Sequence, residues 1–112
     1  MSSKKFALPR KKILKRAAEI QAVFDAGIKR SGKYLTLFLK PESVGHEKFA
    51  VFINRRVGKA VQRNRMKRLI REIYRLHPDW FRGYSVIIYI KRFRDDYHYL
   101  EREVHQLLSR QA

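Results

Sequence analysis

The stretch VGKAVQRNRMKRLIREIYRL, Val57 to Leu76, constrains this chain more than any other. Met66, Leu69, Ile70, Ile73 and Leu76 recur at three- and four-residue steps, which places them on one side of a helix. Arg63, Lys67, Arg71 and Arg75 follow at four-residue steps, with Asn64 and Arg68 beside them. At roughly 100° per residue the apolar and basic arcs take nearly opposite sides. Like charges at that spacing repel and weaken an isolated helix. Glu72 is the only acid in the stretch, so local pairing does not offset the repulsion. An ordinary solvated face mixes signs. A face of one sign suits a polyanion lying along it.

The charge of the whole chain points the same way. Its 112 residues hold 27 Lys+Arg against 10 Asp+Glu, a formal net charge of +17. One sign at that density stores self-repulsion, which an anionic partner relieves. Nucleic acid is the leading candidate and an acidic membrane surface the second. The membrane is the weaker one, because no stretch has the apolar length of a spanning helix. No continuous apolar run follows the basic N-terminus, so no secretory signal is visible and a cytoplasmic location is expected. Cys is absent, which excludes disulfides and thiolate metal sites. With 45% hydrophobic and 12% aromatic residues, the chain supports one domain around one core.

Residues 1–12 read as a basic flexible arm that orders on RNA, with Pro9 interrupting any helix there. Ile13, Ala17, Ile20 and Phe24 share a helix face, with Leu14 and Val23 at its edges. Gly27 stands where a left-handed residue would end that helix, giving a span from about Lys11 to Ala26. From Ile28 to Lys40 the period changes to two. Leu35, Leu37 and Leu39 point one way, and Tyr34, Thr36 and Phe38 the other, with Ser31-Gly32 as a bend. Lys48 to Asn54 alternates again, with Phe49, Val51 and Ile53 opposite Ala50, Phe52 and Asn54. One face of these strands is expected to pack on the central helix and the other to carry exposed aromatics. His77-Pro78-Asp79 breaks the helical period. Val86 to Ile90 reads as a central strand covered on both sides. Asp95 or Asp96 caps a last helix with Leu100, Val104, Leu107 and Leu108 on its apolar stripe. The fold class is therefore α+β: a single-domain α-β-β-β-α-β-α sandwich with a small mixed sheet. Its Lys48–Arg92 unit forms a parallel crossover, right-handed by the general rule.

No catalytic constellation stands out. Phosphodiester cleavage needs clustered carboxylates for metal ions or a paired general acid and base. The acids here are scattered, and Asp95, Asp96, Glu101 and Glu103 read as capping and solvation of the last helix. His98, Glu101 and His105 make only a thin metal-site pattern against an ordinary half-exposed surface. Binding chemistry is better supported. The stripe of Arg63, Asn64, Lys67, Arg68 and Arg71, the pair Arg55-Arg56 with Lys59, and the aromatics Tyr34, Phe38 and Phe52 are expected to share one surface. Phosphates take guanidinium forks and ammonium charges. Unpaired bases stack on flat rings, and Asn bonds to a base edge or sugar. Plain core packing is the alternative for the three aromatics.

The run RNRMKRLIRE from Arg63 to Glu72, preceded by GKAV at Gly58 to Val61, resembles the signature of the bacterial ribonuclease P protein subunit. The similarity runs from the first helix to the last strand. It implies the ribosomal protein S5 domain 2-like fold, with a left-handed β-α-β crossover where the general rule gives a right-handed one. It also implies a non-catalytic subunit of a holoenzyme whose RNA removes the 5′ leader of precursor tRNA. Its partners would be the ribonuclease P RNA and precursor tRNA, without an obligatory protein partner. Mg2+ would be bound mainly by the RNA. By motif, Phe24 and Phe38 correspond to aromatics of a leader-binding cleft, and Tyr34 to an aromatic at the start of the same strand. Arg55 and Arg56 correspond to a basic pair that is usually Lys. Arg63 and Asn64 correspond to residues near the leader and its metals. Arg65, Lys67, Arg68 and Arg71 correspond to contacts with the catalytic RNA. The chain departs from the pattern at Ile20, where Phe is frequent, at Phe52 and Asn54, which replace small residues, and at Ala50, which replaces a frequent Gly. Phe52 either narrows the cleft or adds a stacking platform. Two other classes compete: a structural RNA-binding protein of the translation machinery, and a nuclease in its own right. The missing carboxylate cluster opposes the nuclease, and the Arg-Asn-Arg run favours the ribozyme subunit over the structural protein.

Overall fold

A computed structural model describes residues 12–109. All of the expected N-terminal arm except Lys12 lies outside the described residues. The first helix, α1, is Ala17–Asp25, shorter than its periodicity predicts. Ile13 instead makes a parallel bridge to Phe49, and the Leu14 N–H donates to the Phe49 carbonyl at 2.9 Å. The apolar period over Ile13 and Leu14 is thus satisfied by an extended segment laid along a strand edge. A helix there would leave that edge unpaired. Gly27, at φ 79°, follows α1 as expected.

Four strands come next: β1 Ile28–Ser31, β2 Leu35–Pro41, β3 Phe49–Ile53 and, after the second helix, β4 Tyr84–Ile90. Their order is β1-β2-β4-β3. β1 and β2 form an antiparallel hairpin, β2 and β4 are antiparallel, and β3 and β4 are parallel. The crossover between β3 and β4 is α2, Ala60–Leu76, followed by a 3₁₀ turn at Pro78–Phe81; α3, Tyr97–Ser109, ends the fold. The sheet is mixed and central, as the alternating and continuous apolar runs predict.

The core lies on the sheet face of Leu35, Leu37, Leu39, Val86, Ile88 and Ile90. There α2 supplies Met66, Ile70 and Ile73, and α3 supplies Leu100, Val104 and Leu107. Leu76 was expected on this face, but it is 48% exposed and Tyr74 is buried in its place. The Tyr74 ring stacks on Phe49 at 4.0 Å and tilts against Phe81. The last turn of α2 thus rolls its apolar arc toward the aromatic cluster rather than along the strict repeat.

Glu103 was read as solvating α3, yet it is buried. Its Oε2 accepts the N–H groups of Tyr34 and Leu35 at 2.9 and 2.8 Å, anchoring the β1–β2 turn to α3. Gly32 leaves room for that carboxylate, since a Cβ there would lie 2.5 Å from Glu103 Oε2. Of the two candidate caps of α3, Asp96 is the one used: its Oδ1 accepts the Tyr99 N–H. Asp95 turns instead to Arg65.

Candidate nucleic-acid interface

The second sheet face carries Phe38, Ile87, Tyr89, Ala50 and Phe52, placed side by side by the register of β2, β4 and β3. Helix α1 covers only part of it. The chain enters α1 beside Phe49 and leaves it into Ile28, which pairs with Leu39. Both points lie toward the Phe49–Val86–Leu39 half of the sheet, so α1 crosses the strands over that half. Nine residues make a helix about 14 Å long, roughly what crossing four strands about 4.8 Å apart requires. Val23 and Leu14 close this part with Ala50 and Ile87, while Ile20, Phe38 and Phe52 pack against the cluster half-buried. The other half, where Phe52 and Tyr89 stay half-buried beyond α1, is the candidate groove, while a hollow lined by Leu14, Val23, Lys40 and Lys48 lies at the opposite end of α1.

Phe24 and Phe38 meet edge to face with ring centroids 4.8 Å apart. Phe24 is 37% exposed, and the Lys29 ammonium stands 5.9 Å from the Phe38 centroid. A partly exposed ring backed by a second ring and flanked by a cation suits a stacked nucleotide. Phe52 contributes a third ring on the same face. Tyr89, between Thr36 and Phe52 in register, is a fourth that sequence reasoning missed, because it lies inside the apolar run of β4.

Tyr34 is not in this groove. Its ring packs on the helical side of the sheet, edge to face with Tyr99 of α3 at 5.3 Å. The alternation that put it beside Phe38 holds only once β2 begins at Leu35. Tyr34 is still in the turn, where Glu103 holds its N–H.

The basic stripe of α2 is also not on the groove face. Met66, Ile70 and Ile73 point into the core on the opposite side of the sheet, so the sheet separates the stripe from the aromatics. The two surfaces meet where β3 runs into α2. Arg55 and Arg56 are exposed in that connection. Asn54 Oδ1 accepts the Arg56 N–H at 2.9 Å. Arg63 Nη1 donates to the carbonyls of Arg55 and Gly58 at 3.1 and 2.9 Å. Gly58 adopts φ 60°, which favours glycine, and a Cβ there would meet the Gln62 side chain. Gln62 Oε1 in turn accepts the Lys59 N–H at the start of α2. Arg63, read as a ligand contact, thus also fixes the rim on which Arg55 and Arg56 are carried.

Farther along α2, Asn64, Lys67, Arg68 and Arg71 line one hollow with Glu72. Arg75 pairs with Glu72 and Arg65 with Asp95, so Arg65 lies on the far flank of the helix from Lys67. Charge is distributed unevenly along the groove face as well. Over the covered half, Lys48 pairs with Glu19 at 2.8 Å and Lys40 with Glu42 at 2.7 Å. The other half ends at the exposed Arg55 and Arg56.

In the His98–Glu101–His105 pattern, His98 stays exposed with Nδ1 3.7 Å from Glu101, and Glu101 and His105 face His77 and Trp80. Glu101 bonds His77 Nε2 at 2.6 Å, His77 stacks on Trp80 at 3.8 Å, and His105 tilts against the same indole. Among the described residues no group of three His, Cys, Asp or Glu is disposed to hold a metal. No described helix is long and apolar enough to cross a membrane.

The model of the Ribonuclease P family matches residues 8–112. The chain belongs to this family. The ribonuclease P protein component of Natranaerobius thermophilus is 37% identical over 101 residues, covering 87% of each chain. That of Chromohalobacter salexigens is 35% identical over 106 residues, covering 91% of this chain and 83% of that one. Among solved structures, the ribonuclease P protein of Thermotoga maritima superposes with a TM-score of 0.74 at 20% identity, covering 89% of this chain and 97% of that one. The Staphylococcus aureus ribonuclease P protein gives 0.72 at 16% identity, covering 95% and 98%. At such identities the likeness is one of fold.

Proposed function

We propose that this ribonuclease P protein works as the non-catalytic subunit of the holoenzyme in tRNA 5′ processing. It holds the 5′ leader of precursor tRNA in the candidate groove and the catalytic RNA along α2. The observation that carries the reading is the junction where β3, bearing Phe52, runs through the exposed Arg55 and Arg56 into the basic helix. A leader stacked on Phe38, Phe52 and Phe24 leaves past Arg55, Arg56 and Asn64. Its phosphates there meet the RNA held by Lys67, Arg68 and Arg71. Binding across that junction brings the scissile phosphate to the RNA's active centre, so the protein contributes positioning and charge rather than bond breaking. Magnesium belongs to the RNA in this reading, since the described side chains offer it no convergent carboxylates, and no step runs through an ion held by the protein. An RNA-bound role also suits a cytoplasmic protein that engages no membrane.

The test mixes the purified chain with precursor tRNA, with and without a bacterial ribonuclease P RNA, at magnesium too low for the RNA alone. Cleavage at the 5′ end is expected only when both are present. Cleavage by rigorously purified protein alone would identify a nuclease instead. Tight RNA binding with no stimulation of cleavage would identify a structural RNA-binding protein.

A further inference from the structure

The displacement of Tyr34 from the groove creates a second cluster that neither the groove nor the stripe of α2 uses. The Arg94 guanidinium lies 3.9 Å from the Tyr99 ring centroid and 5.5 Å from that of Tyr34. Its Nη1 reaches the Tyr34 hydroxyl at 3.3 Å, and its Nη2 lies 3.6 Å from Asp96 Oδ2. Two rings and one carboxylate thus fix the guanidinium, whose side chain remains 37% exposed. Lys33 stands 5.8 Å from the Tyr34 ring and Arg102 5.9 Å from the Tyr99 ring, and both are exposed. Pinning the loop after β4 to α3 would need only one of these cations. Three around two rings, set against Asp96 beside Arg94 and the Glu103 carboxylate spent on the Tyr34 and Leu35 N–H groups, leave a positive excess that suits an anion.

An arginine stacked on an aromatic ring presents its outer plane to solvent, and unpaired bases stack on such planes. The cluster is continuous with α2. The Arg94 N–H donates to Met66 Sδ at 3.4 Å, and the neighbouring Asp95 pairs with Arg65 at 3.0 Å. An RNA lying on α2 therefore reaches it around the Arg65 flank without crossing the groove. We infer that the Arg94–Tyr99 stack is a further docking face for an unpaired nucleotide of the ribonuclease P RNA, with Lys33 and Arg102 on the adjoining phosphates. This rests on the proposed assembly with that RNA.

The test measures affinity of the full chain for ribonuclease P RNA, without substrate, over a range of salt. It compares wild type, Arg94→Lys, Arg102→Ala and, as a control on α2, Arg71→Ala. Arg94→Lys keeps the charge and loses the plane, so it should bind about tenfold more weakly with an unchanged salt slope. Arg102→Ala should make the slope shallower by about one unit. Its side chain is exposed, so it tests the face even if Arg94→Lys perturbs folding, which melting temperatures monitor. In the assembled holoenzyme, preference for leader-bearing over mature tRNA should be unchanged in both. The inference is overturned if Arg94→Lys and Arg102→Ala bind like wild type while Arg71→Ala is weakened. It is also overturned if the loss appears in leader preference rather than in RNA-subunit affinity. If Arg71→Ala also behaves as wild type, the proposed function itself fails.

Discussion

The two faces of the sheet are built from similarly apolar strands and are closed to different degrees. On one, Leu35, Leu37, Val86, Ile88 and Ile90 meet Met66, Ile70, Ile73, Leu100 and Val104, all fully buried. On the other, Phe38, Phe52 and Tyr89 stay half-buried beside a single short helix. The difference lies in the cover rather than in the strands. Helices of 17 and 13 residues close the first face, and one of 9 residues crosses only half of the second. Openness produced this way leaves aromatic rings at the surface, where polar strand residues would have left nothing for a base to stack on.

The largest expected effect contrasts the two faces directly. Ile70→Ala should cost about 2–5 kcal/mol of stability in denaturant unfolding, because it opens a cavity in a closed core. Affinity for RNA should then fall only with the folded fraction. Phe38→Ala should leave the melting temperature nearly unchanged. It should cost roughly 1–3 kcal/mol of affinity for leader-bearing precursor tRNA, and almost nothing for mature tRNA. If Phe38→Ala destabilises as much as Ile70→Ala with leader preference intact, the second face is core as well and the contrast is lost.

A smaller effect separates the groove from the helix stripe. Lys and Arg that neutralise phosphates release counterions, so affinity for the RNA should fall steeply with salt. Arg68→Ala and Arg71→Ala should each make the log–log slope shallower by about one unit, whereas Phe38→Ala should leave it alone. A stripe that is merely solvated would give wild-type slopes in both arginine variants.

Much of this contrast is legible in the sequence. The alternation in β2 and β3 separates the Leu face from the Phe face, and the apolar arc of α2 shows which side of that helix is buried. Local periodicity does not report how helices are placed over a sheet. It extends α1 back to Lys11, although an edge strand claims Ile13 and Leu14. It also puts the basic stripe and the aromatics on one surface, although the sheet stands between them. Tyr34 fails for a related reason, since a period of two has meaning only inside the strand. Glu103 gives no local signal at all. Its partners are 68 and 69 residues away, and only the tertiary fold brings the turn to it.

The smallest expected effect concerns how each end of the sheet is held. Glu103 secures the end beside Tyr34. Glu47 secures the other, accepting the Gly45 N–H at 2.7 Å and the Gly83 N–H at 2.9 Å. Backbone N–H donation, led by Gly83 and helped by the charge of Lys12, lowers the Glu47 carboxyl from 4.5 to about 2. A carboxyl depressed in the folded state stabilises it fully above its unfolded pKa. That contribution declines as pH falls below about 4.5 and is gone once pH passes below about 2. Glu19, through Lys48, and Asp96, through the Tyr99 N–H, are lowered too. The wild-type acid limb therefore sums several groups, and only the difference from a variant isolates Glu47. Glu47→Gln keeps the shape but turns an amide N–H2 toward one of two backbone donors, so it should be less stable near neutrality. The deficit should shrink as pH is lowered from about 4.5 toward 2, because the wild type loses there what the variant never had. Unfolding free energies measured across that window would show the two curves converging. Curves that stay parallel would mean that Glu47 does not titrate with folding, and that the end of the sheet beside Gly83 is held by its other hydrogen bonds, such as the Glu42 N–H to the Gly83 carbonyl, and by packing.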